Sequence, residues 1–125
     1  MEASRKLVIG VGEPSLADFL GAIFEEAGWQ PFVAVGEDEA QKLLELHLPA
    51  AVVTEWRWPA LIARAAYGPM RIPTIVLCAA EPYPLIMGLP YIEPLAMPFT
   101  PRDLLASLSK VAAQDGRHAL NVAQA

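Results

Sequence analysis

The chain has 125 residues, 54% of them hydrophobic and 18% charged, and its 9 Lys+Arg against 14 Asp+Glu leave a net charge of −5. That describes one globular domain with a sizeable core rather than a disordered segment, and so few bases without a basic stripe exclude a nucleic-acid-binding domain. A single cysteine, Cys78, rules out an internal disulfide and any Cys-based metal cluster, and fits a reducing cytoplasm.

The first residues, Met1 to Lys6, lead straight into a short apolar run, with no pattern of a signal peptide or a membrane span. Lys6 to Gly10 reads as a buried strand closed by Gly10 and Gly12. Glu13-Pro14-Ser15 opens a helix, because proline suits the first turn and Leu16, Phe19, Leu20, Ile23 and Phe24 recur at helical spacing. Gly28 ends it. Phe32 to Val35 is the second strand. Gly36-Glu37-Asp38 starts a second helix with acids at its N-terminus and Ala40, Leu43, Leu44 and Leu46 along one side, closed by His47 and Pro49. His47 suits that helix end as a dipole-favoured cap, while His118 lies in the tail and is assigned no role.

Ala50 to Thr54 is small, β-branched and apolar without alternation, as a strand buried on both faces requires. It delivers a carboxylate, Glu55, at its C-terminal end, which is where open α/β sheets place their chemistry. Ala60 to Tyr67 allows two turns of helix. Pro73 to Cys78 is a fourth strand, and Ile92 to Ala96 a fifth. Between them, Glu81 to Pro94 holds four prolines and a glycine in fourteen residues, which forbids a long regular helix. Thr100-Pro101-Arg102-Asp103 is a helix start, with Thr100 as N-cap and Asp103 in the capping-box position, and Leu104, Leu105, Leu108 and Val111 form the apolar stripe. Gln114 to Ala125 is a polar, small-residue tail or linker stub. Strands alternating with helices predict a parallel, doubly wound α/β sheet.

Several of these stretches, taken together and in order, resemble a response-regulator receiver domain over residues 5–113. They are Glu-Pro-Ser after strand one, Phe24-Glu25-Glu26-Ala27-Gly28-Trp29 at the first helix end, the acid-x-x-x-Pro run Glu55 to Pro59, Pro73 to Leu77, and Met97-Pro98-Phe99-Thr100-Pro101. The resemblance implies a five-stranded flavodoxin-like three-layer sandwich in strand order 2-1-3-4-5, here with a shortened third helix and an irregular Pro-rich fourth-helix region. It also implies a cis peptide at Met97-Pro98.

The family's chemistry does not carry over. Receivers accept a phosphoryl group on an aspartate, hold Mg²⁺ with two acids after strand one, and read the phosphate with a Thr or Ser and a Lys. This chain places Glu55, then Val11 and Gly12, then Cys78 and Met97 at those positions, and only Glu13 remains as an acid near the metal position. Phosphoryl transfer is mostly positioning and charge neutralisation. Mg²⁺ needs a near-octahedral oxygen set, Met97 neutralises nothing, and Glu55 is one methylene too long for in-line attack. The expectation is therefore a degenerate, pseudo-receiver member with no catalytic residue, no metal and no cofactor. Glu55 either mimics a phosphorylated aspartate or is a strand-end carboxylate, solvated or paired with Arg57 or Arg71. Cys78 is either a reactive thiol or an inert, partly buried one.

Trp56, Arg57 and Trp58 form either an exposed hot spot or a cover for the vacated acidic pocket, one role being open to each ring. The apolar Tyr83, Met87 and Tyr91 of the Pro-rich region extend the candidate interaction surface or fold down as satellite core. The function expected is that of a non-phosphorylatable, cytoplasmic, bacterial signalling module of the two-component or phosphorelay type. It would work by contact with a protein partner: a histidine kinase, an output domain or a second copy in a homodimer, with neither nucleic acid nor membrane. Two rival expectations stand beside it: small-molecule sensing in a pocket lined by Gly10, Val11, Gly12, Trp56 and Cys78, and a small α/β enzyme using Cys78 or Glu55.

Overall fold

The computed structural model describes residues 5–78 and 91–110. Five strands run β1 (Lys6–Gly10), β2 (Gln30–Ala34), β3 (Ala51–Glu55), β4 (Thr74–Cys78) and β5 (Ile92–Ala96). Three helices, α1 (Pro14–Glu26), α2 (Glu37–His47) and α3 (Pro59–Tyr67), occupy the first three crossovers, and a last helix is described over 101–110. Every neighbouring strand pair is parallel and the sheet order is β2-β1-β3-β4-β5. This is the α/β flavodoxin-like order that the resemblance implies. The third helix, at 9 residues against 13 for α1 and 11 for α2, is short. The segment 79–90, which includes most of the Pro-rich region, and the tail from Gln114 onwards lie outside the described residues.

Side chains leaving the strands alternately explain the three layers. Leu7, Ile9, Val53, Ile75 and Leu77 point to one face and pack against Leu20 and Phe24 of α1 and Leu104 and Leu108 of the last helix. Val8 and Val52 point to the other and meet Ala40 and Leu44 of α2 and Leu61 and Ala65 of α3. A third cluster joins Ile62 and Ala66 of α3 to Val76, Cys78 and Ile92. Each aliphatic side chain so buried stabilises the fold by about 1.5–3 kcal/mol before entropy is set against it.

The second strand begins two residues before the stretch read from the sequence, because the Gln30 N–H already donates to the Arg5 carbonyl. Pro31 is tolerated there for a geometric reason. Gln30 and Ala34 turn their backbone groups to β1, so the intervening odd positions face outward and the missing N–H of Pro31 lies on the open side. β5 repeats the device: Tyr91 and Met97 bond to β4, which leaves Pro94 facing outward. Both edge strands therefore lack one outward donor, which disfavours strand-to-strand aggregation.

The helix ends follow the capping rules, with two exceptions. Thr100 and Asp103 cap reciprocally, each side chain accepting from the other's N–H at 3.0 Å. Glu13 caps α1 by accepting from the Ser15 N–H at 2.9 Å. α3 has no side-chain cap of its own at Trp58, and the Leu61 N–H instead donates to Glu37 Oε2 of α2 at 3.1 Å. α2 ends at His47, as read from the sequence, and its C-cap is Leu48, whose φ of 47° is left-handed. His47 stacks on Phe32 with ring centroids 3.6 Å apart.

Candidate functional site

The C-terminal ends of β1, β3, β4 and β5 share one edge of the sheet, and the residues that stand where receivers keep their chemistry converge there. Glu55, half-buried at the end of β3, accepts a hydrogen bond from the Gly12 N–H at 2.6 Å. A carboxylate on a backbone amide is a strong, short contact. It ties the loop after β1 directly to the end of β3. Arg57 is turned elsewhere, its guanidinium 5.4 Å from the centroid of the Trp56 ring.

Thr54, fully buried one residue earlier, donates its Oγ1–H to the Gly10 carbonyl at 2.7 Å. The two contacts together clamp β3 to the end of β1.

The two tryptophans part company. Trp56 is 45% exposed. Trp58 is half-buried and packs with the α2–α3 core, its indole lying against the bare backbone of Gly10 and Gly12. A Cβ on Gly10 would come within 2.9 Å of Trp58 Cζ3 and of Leu61 Cδ2, and one on Gly12 would sit 3.8 Å from Trp58 Cζ2 and 3.5 Å from Glu55 Oε2. The space beside the strand end thus holds an aromatic ring and a carboxylate belonging to the chain itself. At Gly10 nothing larger would fit under the ring without a shift, whereas at Gly12 a Cβ would make only ordinary contacts.

Val11 is fully buried and Gly12 exposed. Glu13 is the helix cap described above. Glu13 and Glu55 each spend one carboxylate oxygen on a backbone N–H, of Ser15 and of Gly12. Among the described residues no three His, Cys, Asp or Glu side chains gather where they could hold a metal ion.

Cys78 is fully buried, its Sγ–H directed at the Val76 carbonyl at 3.3 Å. Burial pushes its thiol pKa up, against a smaller pull from a hydrogen bond with the Leu95 backbone. A raised pKa leaves little thiolate, and the thiolate is the nucleophile. Thiol-specific reagents should therefore label Cys78 about 100-fold more slowly in the native protein than in urea. Labelling at equal rates would show an accessible, reactive thiol.

Met97 is exposed, with its N–H on the Cys78 carbonyl at 2.8 Å, and the Met97–Pro98 peptide is cis. Tyr91 is half-buried against the cluster around Ile62 and Val76 rather than standing out from the surface. Tyr83 and Met87 lie outside the described residues.

Two residues of the site escape sequence reasoning. Thr54 looks like any β-branched strand residue, and Glu37 like a helix-dipole acid. Yet Glu37 fixes the N-terminus of α3, and with it the position of Trp58. No periodicity marks either role, since both depend on a contact to another element.

No family profile and no curated protein matches the sequence. Solved structures do share its fold. A response regulator receiver domain protein from Clostridium thermocellum is 16% identical, with a TM-score of 0.77 over 89% of this chain and 96% of its own. The chemotaxis response regulator CheY4 of Vibrio cholerae is 17% identical, with a TM-score of 0.73 over 87% and 99%. The response regulator PhyR from Brucella abortus is 23% identical, with a TM-score of 0.74 over 98% of this chain but 53% of PhyR, so the chain spans about half of that protein. At these identities the likeness is one of fold. Among the described residues no helix is long and apolar enough to cross a membrane.

Proposed function

We propose that this chain is a receiver-like signalling module that transmits by protein–protein contact and does not use phosphotransfer. The observation that carries this reading is the self-occupied site: Glu55 on the Gly12 amide, with the Trp58 ring over Gly10 and Gly12. Where a phosphoaspartate, a metal ion and their readers would need open space and free oxygens, the chain supplies its own carboxylate and its own aromatic ring. Glu55 then acts as an internal tether rather than as a mimic read out by other groups, since Cys78 and Met97 offer neither hydroxyl nor cation. The Trp56–Arg57 stack, partly exposed at the same edge, is the contact residue pair for a histidine kinase or an output domain, because Trp and Arg dominate interface energetics.

Against the rival reading of a ligand pocket among Gly10, Val11, Gly12, Trp56 and Cys78 stands the packing of Trp58 and Leu61 on Gly10, and against an enzyme using Cys78 or Glu55 stand the burial of the Cys78 thiol and the hydrogen bond that Glu55 makes to the Gly12 amide.

The test is tryptophan fluorescence during titration with Mg²⁺, then with Mg²⁺ and beryllofluoride. Trp56 adjoins Glu55 and Trp58 covers the strand end, so binding at either would move the emission. A flat response to roughly 20 mM Mg²⁺, well above the levels at which carboxylate sites fill, is expected. A saturable change would overturn the proposal.

A further inference from the structure

α1 and the last helix lie on one face of the sheet and leave a groove between them. Phe19, Ala22, Ile23 and Glu26 line it from α1, at the i, i+3, i+4, i+7 spacing of a single helix face, and Pro101 and Leu105 line it from the last helix. Its volume is about 440 Å³. Phe19 is 45% exposed, and Ile23 and Leu105 are half-buried. The lining is therefore apolar, and among the described residues Glu26 is its one charged side chain.

Both helices run from the C-terminal edge of the sheet to its N-terminal edge. α1 returns the chain to Gln30 at the start of β2. Lys110, at the foot of the last helix, meets Glu93, the second residue of β5, at 3.5 Å. The sequence that leaves Lys110 thus starts at the same end of the groove as Glu26.

That sequence is patterned to come back. Asp115-Gly116 is a turn dipeptide, and the stretch 111–116 has a usual length for a connection between packed helices. Beyond it, at helical spacing, Ala119, Leu120, Val122 and Ala123 fall within one arc of about 160°, with Arg117, His118, Asn121 and Gln124 outside it.

We propose that residues 117–125 form a short helix that turns back and covers this groove. Length, shape and charge select that occupant. Nine helical residues span about 13 Å, against about 11 Å from Phe19 to Glu26. Half of the apolar arc is alanine, which lets the returning helix approach closely over Ala22. Arg117 comes at the foot of that helix, level with Glu26 at the foot of α1 and opposite to it in charge. A second copy is the weaker occupant. Each copy carries a net charge of −5, so two repel, whereas a tethered segment is present at an effective concentration on the order of millimolar. The groove is not the strand-end site, so this inference and the proposed function stand or fall separately.

Timed tryptic digestion of the full chain tests it, with mass spectrometry following cleavage after Arg117. A docked segment is cut only when it opens, so the rate follows the open population. Leu120→Asp lies outside the sheet and its cores, and Ala22→Glu replaces one good helix former with another at an exposed position. Both variants should keep the wild-type circular dichroism spectrum, and each should speed the cleavage about tenfold. Wild-type cleavage as fast as that of Leu120→Asp overturns the proposal. So does a rate indifferent to Ala22→Glu, which would place the segment elsewhere, or protection that grows with protein concentration, which would give the groove to a second copy.

Discussion

Replacing Trp58 with alanine should lower the unfolding free energy by about 2–4 kcal/mol, the range for deleting a large, partly buried aromatic from a packed site. The indole meets the α2–α3 core on one side and the Gly10–Gly12 backbone on the other, so its loss leaves a hollow that no neighbour closes. Leu61 is held in the core and its N–H on Glu37, Ala40 has no reach, and the glycines have no side chain to offer. Urea unfolding followed by circular dichroism is the measurement, with an unchanged m-value marking a change in native stability alone. A loss below about 1 kcal/mol would mean that the ring rests on the surface rather than filling the strand end. The same variant bears on function. With the ring gone, the fluorescence response of the remaining tryptophans to Mg²⁺ should still be flat, because Glu55 stays on the Gly12 amide and the second acid of a metal pair is missing.

Gly10→Ala should destabilise the fold by about 1–3 kcal/mol, the usual cost of overpacking, even though alanine ordinarily suits a regular element better than glycine does. A new Cβ meets Leu61 Cδ2 and Trp58 Cζ3 at 2.9 Å and Ala40 Cβ at 3.1 Å. Leu61 and Ala40 are fully buried and give little. The Trp58 ring, half-buried, is the neighbour that moves outward, and its emission should shift to the red. In the Trp58→Ala background the same substitution should cost less, since the space it needs has been vacated. The two effects couple rather than add, as residues in contact do. Additivity within about 0.5 kcal/mol would show that the ring and Gly10 are energetically separate, and the description of the strand end as plugged by Trp58 would be wrong.

Both substitutions act where receivers keep open chemistry, and both test a single physical idea. A carboxylate that finds a backbone amide and a glycine backbone that finds an aromatic ring are satisfied without external ligands.

Local patterns account for much of the architecture. Apolar runs without alternation made β1, β3 and β4 legible as strands buried on both faces. The Thr100–Asp103 box and the proline at the start of α1 were legible because a cap is an interaction within four residues. The strand order follows once the resemblance is granted. Tertiary structure decided the rest. β2 starts at Gln30 because an edge strand can accept Pro31 with its donor-less side outward, which depends on which neighbour lies where. The residue that caps α2 after His47 is Leu48, in a conformation that no preference of leucine foretells. Trp56 and Trp58 are indistinguishable as residues two apart on one loop, yet one ring is 45% exposed and the other covers Gly10, because Trp58 is the N-cap of α3 and Glu37 pins that helix's first turn. Glu55 had solvent or an arginine as its expected partners and took the Gly12 amide instead. Short-range chemistry is written along the chain, whereas the partner of a side chain 43 residues away is set by strand pairing and is visible only once the sheet has formed.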